Sequence, residues 1–408
     1  MATLSRILKF SKSMNPADLY ALPAPEPAAA AHSARLVEAI RAEMAAGGGA
    51  IPFARFMELA LYAPGLGYYR AGARKFGAGG DFVTAPELSP LFSRCVARQC
   101  QQILARLGGG HILELGAGSG VMAAAMLQEL DALDSLPERY EILELSAELR
   151  ERQQQTLAAQ APRLQTRVCW LDTLPAAGFS GVMVANEVMD AMPVERFRIT
   201  PAGPRPLQVA WEKDCFIWRE GEAAPALTDA VNRLQETLGY ALPLAYESEF
   251  NARLPGWIAA LAESLASGVA LLIDYGYPRR EYYQPARRTG TLRCYYRHRV
   301  HADPLLLPGL QDITASVDFS ALADAALNAG LAVGGYTRQN YFLFGCGLEN
   351  LLAEVDPTDT VPYLRLSNQV KLLTLPGEMG ELCKAIALCK RMDAPLRGFS
   401  FLDERGRL

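Results

Sequence analysis

The residues best able to do chemistry lie in one stretch: Asn186, Glu187, Val188, Met189, Asp190, Ala191, Met192 and Pro193, where the apolar run GVMVAN (181–186) ends. Carboxylates just past the carboxyl end of a central strand stand where open α/β sheets bind ligands. A guanidinium acceptor needs such groups. It is cationic and delocalised, so acids must localise its charge on one nitrogen and aim that lone pair at an electrophile. Glu187 is the first choice for this role, Asp190 the second and Glu195 the third. The structural alternatives are that Asp190 caps the following turn and that Glu195 is a solvated surface acid.

The second constellation is HILELGAGSG (111–120), an apolar strand running into Gly116, Gly118 and Gly120 and then into the helical VMAAAMLQEL. Glycine suits a backbone that turns sharply at a strand end and approaches a ligand closely. The next apolar run ends in Glu144, which can accept both hydrogens of a ribose diol, with Leu145 beside it for the adenosyl group. A dinucleotide fingerprint needs G-x-G-x-x-G to cradle a pyrophosphate, but here position 121 is Val and the order is E-L-G-x-G-x-G. That favours S-adenosylmethionine, whose methionine end would meet the glycine loop and Glu114, with Asn186 counted among the donor residues. A nicotinamide or flavin, or a turn with no ligand, are the alternatives. The tetrapeptide N-E-V-M at 186–189 also departs from the N-P-P-Y type carried by methyltransferases acting on DNA bases or glutamine amides, which demotes those acceptors.

These residues need a frame, and the hydrophobic pattern supplies one. Five β-like runs, HILEL (111–115), YEILEL (140–145), RVCWL (167–171), GVMVAN (181–186) and GVALLID (268–274), are separated by helical or inserted segments. That alternation predicts a parallel sheet with crossover helices. About 80 residues lie between the fourth and fifth runs, and FRIT, LQVAW and CFIWRE among them predict a small antiparallel insertion. After Asp274 comes an irregular stretch rich in Arg and Tyr, then a helix at FSALADAALNAGL, a strand near AVGGYTRQ, helices from about 341 to 373 and a last strand, KAIALCKR. Upstream, Leu36, Ile40 and Met44 share one helical stripe from His32 onward, and Gly65 to Glu87 forms a long loop without periodicity. The expected division is a leader and linker at 1–31, a helical, cofactor-covering segment at 32–110, a core at 111–391 with insertions at about 195–267 and 275–318, and a tail at 392–408.

Composition narrows the function classes. With 408 residues, 50% hydrophobic and 21% charged, the chain can bury a sizeable core. Forty basic and 44 acidic residues give a net charge of −4, which provides no drive toward nucleic acid or anionic lipid. No apolar run approaches the ~20 residues of a membrane span. Eight cysteines without a C-x-x-C pair read as reduced thiols, and Cys294, His298 and His301 lack a fourth ligand, so no metal is expected. The leader MATLSRILKFSKSMN is basic and weakly like a transit peptide, but its shortness and the following LPAPEPAAAA favour a disordered leader.

Several blocks resemble the MidA-type methyltransferases, a family that includes a mitochondrial arginine methyltransferase needed for complex I assembly. They are LYAPGLGYY (61–69), GDFVTAPELSPLF (80–92), ILELGAGSG (112–120), ANEVMDAMPVERF (185–197), LLIDYGY (271–277), GTLRCYYRH (290–298) and PGLQDITASVDFSAL (308–322). The resemblance implies a class I SAM-dependent methyltransferase fold, Rossmann-like, with a mostly parallel seven-stranded sheet, an N-terminal helical part and α/β insertions. It makes Asp81, Phe82 and Thr84 candidates for closing the donor site, unless Asp81 and Thr84 only organise a turn and cap the helix after Pro86. Asp172, at the end of the third run, is an adenine-side candidate or a strand-end turn former, and Asp274 and Tyr275 with Arg293 and His298 are candidates for an acceptor channel or structural loop residues. The resemblance also implies methyl transfer to an arginine on a respiratory complex I subunit during assembly. The Ala/Arg-rich chain and its short basic leader point to a bacterial cytoplasm, with the mitochondrial matrix, where cysteines are equally reduced, as the alternative. The rival readings are a donor-binding assembly factor without turnover, a small-molecule methyltransferase and, more weakly, a nucleotide-dependent oxidoreductase.

Overall fold

A computed structural model describes residues 22–70 and 84–408. The N-terminal part comprises α1 (Pro27–Ala46), β1 (Ala50–Pro52) and α2 (Phe53–Tyr62). In α1 the predicted stripe of Leu36, Ile40 and Met44 is buried. The helix starts five residues before His32, inside the stretch read as linker, because Pro27 occupies a first-turn position and the alanines behind it are strong helix formers. A short helix, α3 (Ala85–Leu88), leads into α4 (Pro90–Leu107), where the Ser89 side chain accepts from the Leu91 N–H and Gly108 ends the helix in the left-handed region, φ 77°.

The central sheet contains β2 (His111–Leu115), β3 (Tyr140–Leu143), β4 (Val168–Leu171) and β5 (Phe179–Asn186), crossed by α5 (Val121–Ala132) and α6 (Ala147–Gln160). Between β5 and the next central strand lie β6 (Glu195–Thr200), β7 (Gly203–Glu212), β8 (Cys215–Glu220), α7 (Pro225–Leu238), β9 (Glu247–Phe250) and α8 (Leu254–Ser264). The sheet resumes with β10 (Leu265–Tyr277), and a second insertion holds β11 (Arg293–Tyr296), β12 (Arg299–His301) and β13 (Asp312–Thr314). Then come β14 (Val317–Asp318), α9 (Phe319–Asn328), β15 (Ala332–Arg338) and β16 (Cys383–Lys390).

The strand order is β15-β16-β10-β5-β2-β3-β4, with β14 added at the far end of β10. Strands β4, β3, β2, β5 and β10 are parallel, and β16 runs antiparallel to both β10 and β15. Alternation along each strand divides the core: Val182, Val184, Leu271 and Ile273 face α4 and α5, whereas Met183, Ala185, Ala270 and Leu272 face α8 and α9. Because the chain leaves β2 in both directions, the carboxyl ends of β2, β3 and β5 open into the crevice where such sheets bind ligands.

The first insertion is antiparallel, as its strand-like segments predict. It also recruits the N-terminus, since β1 pairs with β7 (Ile51↔Val209) in the order β1-β7-β6-β9. The third sheet, β12-β11-β13, shares a core with α1 and α2 through Leu36, Phe53, Leu292, Cys294 and Ile313. Sequence reading missed this shared layer, which makes one body of segments more than 200 residues apart. The end of the chain is likewise not a free tail: Leu396 and Phe399 are buried in the main core, and Glu404 pairs with Arg338 and Arg407.

Candidate active site

The glycine loop takes its shape from backbone angles that side chains oppose. Gly116, Gly118 and Gly120 all have positive φ, at 67°, 53° and 85°. A Cβ on Gly116 would come 3.2 Å from Val188 Cγ2, narrowing the gap between the loops that follow β2 and β5. Gly116 and Gly118 line a cavity of ≈ 420 Å³. Gly120 does not line it; as N-cap of α5 it lets that helix approach Gln153 of α6, whose Cα would lie 3.0 Å from an added Cβ. Ser119 donates to Glu87 of α3, tying the covering helix to the loop. Thr84, the N-cap residue of α3, makes no side-chain cap bond and lines the cavity.

Glu144 follows β3. One carboxylate oxygen accepts from the Ser146 N–H (2.9 Å) and the other from Gln153 Nε2 (3.2 Å), so the group is held yet each oxygen keeps a lone pair. Burial raises its pKa against the pull of those bonds. Leu145 beside it is 63% exposed, and both residues line the cavity. Glu114, on β2 behind the glycines, accepts from Tyr140 Oη at 2.6 Å, and burial pushes its pKa up to about 7. Asp172 stands apart. It is exposed at the end of β4 and pairs with Arg150, which donates in turn to the Glu144 and Leu171 carbonyls. Its carboxylate is held by that arginine, and it is not among the residues that line the cavity.

The turn after β5 is organised from the neighbouring strand. Glu187 lies at φ 53°, a left-handed conformation that costs a non-glycine residue roughly 1–3 kcal/mol and that surrounding contacts must enforce. Asp274 on β10 enforces it. Its Oδ2 accepts from three successive N–H groups, Val188 (3.1 Å), Met189 (2.8 Å) and Asp190 (3.2 Å), and Oδ1 accepts from the Tyr275 N–H. Asp274→Ala strands several buried donors at about 1–3 kcal/mol each, so a stability loss on the order of 3–5 kcal/mol is expected in urea titration, with most of it restored by Asn.

Held this way, Glu187 and Asp190 both line the cavity. Glu187 is half-buried in that lining, and desolvation followed by the charge of Asp274 raises its pKa to about 8, against hydrogen bonds from Asn186 and the Ala85 N–H. Asp190, 6% exposed, is raised well above the carboxylate range by burial and by Asp274, Glu187 and Asp312. Among the described residues neither acid pairs with a Lys or Arg. Two desolvated acids in a cavity, with more acids behind them, can stabilise an incoming cation. Asn186 also lines the cavity, and its Oδ1 is buried without a hydrogen-bond partner.

The other predicted residues fall elsewhere. Glu195 heads β6, outside the cavity lining. Asp274 is fully buried behind the turn, Tyr275 packs against the main core, Arg293 donates to the Leu292 carbonyl, and His298 sits in the β11–β12 turn at φ 59°. None of these four is among the residues that line the cavity. Asp81 and Phe82 lie outside the described residues. Tyr62, Tyr69, Trp257 and Asp312 line the cavity and were not assigned roles from the sequence. Tyr62, Tyr69 and Asp312 lie within blocks already quoted, but no spacing relates them; Trp257 carries no sequence signal at all. Among the described residues no group of three or more His, Cys, Asp or Glu could hold a metal ion, and no helix is long and apolar enough to cross a membrane.

Residues 95–337 match the family described as "Putative S-adenosyl-L-methionine-dependent methyltransferase". The fold is similar to a crystal structure of a COG1565 superfamily member from Burkholderia thailandensis bound to S-adenosyl-homocysteine, with a TM-score of 0.91 and 44% identity over 95% of this chain and 100% of that one. At lower identity the chain is similar to the mitochondrial protein arginine methyltransferases NDUFAF7. The Danio rerio protein is 27% identical over 367 residues, 82% of each chain, and the Homo sapiens protein 28% identical over 370 residues, 83% of this chain and 80% of that one. The mostly parallel sheet with an N-terminal helical part, expected from the sequence, is the fold observed.

Proposed function

The chain belongs to the S-adenosyl-L-methionine-dependent methyltransferase family matched by residues 95–337, and on that premise we propose that it methylates an arginine nitrogen of a protein substrate. S-adenosyl-L-methionine is the cofactor, and S-adenosyl-L-homocysteine is the product it leaves. The chain's residues fit this group: glycines clear the backbone beside Val188, Glu144 retains acceptor capacity for a ribose diol, and exposed Leu145 offers an apolar face. When bound, the donor supplies an electrophilic methyl on a sulfonium, displaced in line by the acceptor nitrogen.

The residues of the chain then have distinct work. Glu114 and the glycine loop hold the methionine end, and Glu144 the adenosyl end. Glu187 accepts hydrogen bonds from the guanidinium, localises its charge and takes the proton released as the nitrogen is alkylated; Asp190 adds to the field that holds the cation. Asp172 is left out of this set, and Gly120 shapes the loop without contact. The observation that carries the reading is the placement of Glu187 and Asp190, desolvated and, among the described residues, without a cationic partner, in the lining of the same cavity as the glycine loop.

By resemblance to the family, and with support from the NDUFAF7 relatives being named protein arginine methyltransferases, the acceptor protein in this reading is a complex I subunit during assembly. All eight cysteines are free, in keeping with the reducing compartment this reading adopts, a bacterial cytoplasm. The test is transfer of labelled methyl from S-adenosyl-L-methionine into a lysate of cells lacking the protein. Methylarginine in one protein band supports the reading. Label that stays soluble after acid precipitation moves the acceptor to small molecules, and no label with the donor bound leaves a binding role.

The pH dependence has a definite sign. Glu187 must be ionised to hold the cation and accept a proton, and its pKa of about 8, with Asp274 at about 7, keeps these acids largely protonated below neutrality. Hence kcat/KM for the acceptor rises as pH rises, approaching about tenfold per unit on the acid side and levelling above pH ~8. A flat profile from pH 6 to 9 contradicts this role for the cluster.

A further inference from the structure

The chain has four tryptophans, and three of them are engaged. Trp170 Nε1 donates to Gln153 Oε1 at 2.8 Å. Trp211 and Trp218 each carry an arginine over the ring, Arg41 at 4.8 Å and Arg196 at 4.4 Å from the ring centroid. Trp257 is different: among the described residues its indole N–H meets no acceptor, and its ring meets neither a cation nor another aromatic ring. It is half-buried, packs against the core beneath α8 and α9, and lines the cavity. The other two aromatic residues in that lining are occupied. Tyr62 and Tyr69 stack with ring centroids 5.5 Å apart, and their hydroxyls donate to the Ala191 carbonyl and to Asp312.

The fold fixes which end of the cavity this ring serves. Trp257 stands in the first turn of α8, its backbone N–H donating to the Arg253 carbonyl at 3.0 Å. The Arg253 guanidinium donates to both carboxylate oxygens of Glu58 on α2, at 3.0 and 2.9 Å. Helix α2 ends in Tyr62, which holds the Ala191 carbonyl next to Asp190. The first turn of α8 is thus tied to the acidic turn after β5. It also leads into β10, the neighbour of β5, whereas Glu144 of the adenosyl end follows β3 on the far side of β2.

The acids Glu187 and Asp190 attract any cation, so charge alone does not tell a guanidinium from an ammonium. A ring face does. The guanidinium is planar and weakly hydrated, and it stacks on an indole while its N–H edge stays free for carboxylates; an ammonium is a compact, strongly hydrated charge. Trp211 and Trp218 hold arginines of this chain in that way.

We propose that Trp257 is the aromatic face on which the substrate guanidinium lies, and that it sets the preference for a guanidinium over an ammonium acceptor. This rests on the arginine reading above.

The test is titration of ethylguanidinium and of ethylammonium, by NMR, into the full-length protein loaded with S-adenosylhomocysteine, comparing wild type, Trp257→Leu and Trp257→Phe. The proposal expects Trp257→Leu to weaken ethylguanidinium binding about fivefold or more and ethylammonium binding less, with Trp257→Phe intermediate and S-adenosylhomocysteine affinity within about twofold throughout. A preference for ethylguanidinium that is the same in Trp257→Leu as in wild type overturns the proposal and leaves the arginine reading standing. So does a larger loss of S-adenosylhomocysteine than of ethylguanidinium affinity, which would put the ring against the adenosyl group. Failure of the wild type itself to bind ethylguanidinium removes both. If Trp257→Leu does not fold, the wild type decides: magnetisation transfer between the ethyl protons and the Trp257 indole protons is expected, and its absence overturns the assignment.

Discussion

Glu187→Gln lowers the rate of methyl transfer by about 10²- to 10⁴-fold while leaving S-adenosylhomocysteine affinity within a few-fold. The amide keeps the shape of the side chain and can still accept from Asn186 and the Ala85 N–H, so the turn and the cavity survive. What it loses, in the mechanism proposed, is a negative charge facing the acceptor and a base for the released proton. Removing that charge also relieves the native state. Because the folded pKa of about 8 exceeds the value in an unfolded chain, the native protein holds a proton that the unfolded chain gives up between roughly pH 4.5 and 8. Wild-type stability therefore falls as pH rises through that window. The glutamine variant is spared this loss, so the two proteins melt together near pH 4 and the variant melts higher at pH 9. Single-turnover transfer and thermal melts at both pH values check the pair of effects. A variant that is inactive but no more stable at pH 9 would leave Glu187 without the desolvated charge on which its role depends.

Glu144→Ala raises the donor Kd by about 10²- to 10³-fold, because it removes two hydrogen bonds to a charged acceptor, each worth about 1.5–3 kcal/mol. The carboxylate is already aimed: the Ser146 N–H and Gln153 hold one bond to each oxygen, so little conformational freedom remains to be lost when the ribose binds. Glu144→Gln keeps one acceptor and loses less. Equilibrium dialysis with labelled S-adenosylmethionine measures both variants. Wild-type affinity in Glu144→Ala would mean that the adenosyl group does not lie against the end of β3. Since Glu144 follows β3 and Glu187 follows β5, with β2 between them, the two substitutions should separate, one in Kd and the other in kcat.

The division between what is local and what is not runs through these same residues. The strands β2, β3, β4, β5 and β10 were legible because each is a short run whose apolar side chains alternate between two buried faces. The glycine loop was legible because positive φ at Gly116, Gly118 and Gly120 is a demand on residue type at fixed spacing. Glu144 and Glu187 followed from these, since the carboxyl ends of the central parallel strands open into the crevice.

Beyond that, sequence alone misled or was silent. Asp172 ends a strand as Glu144 does, yet a surface arginine takes its carboxylate. Asp274 looked like a channel residue and is instead the buried anchor that shapes the Glu187 turn. Tyr69 and Asp312 meet 243 positions apart. Local propensity and periodicity act over a few residues, so the sequence by itself determined the sheet, the turn of the glycine loop and the acidic residue that follows β5. Which distant side chains share a cavity, and which carboxylates lose their water there, is decided only when the insertions and the N-terminal helices close on one another, because desolvation and Coulomb coupling depend on distance in space rather than along the chain.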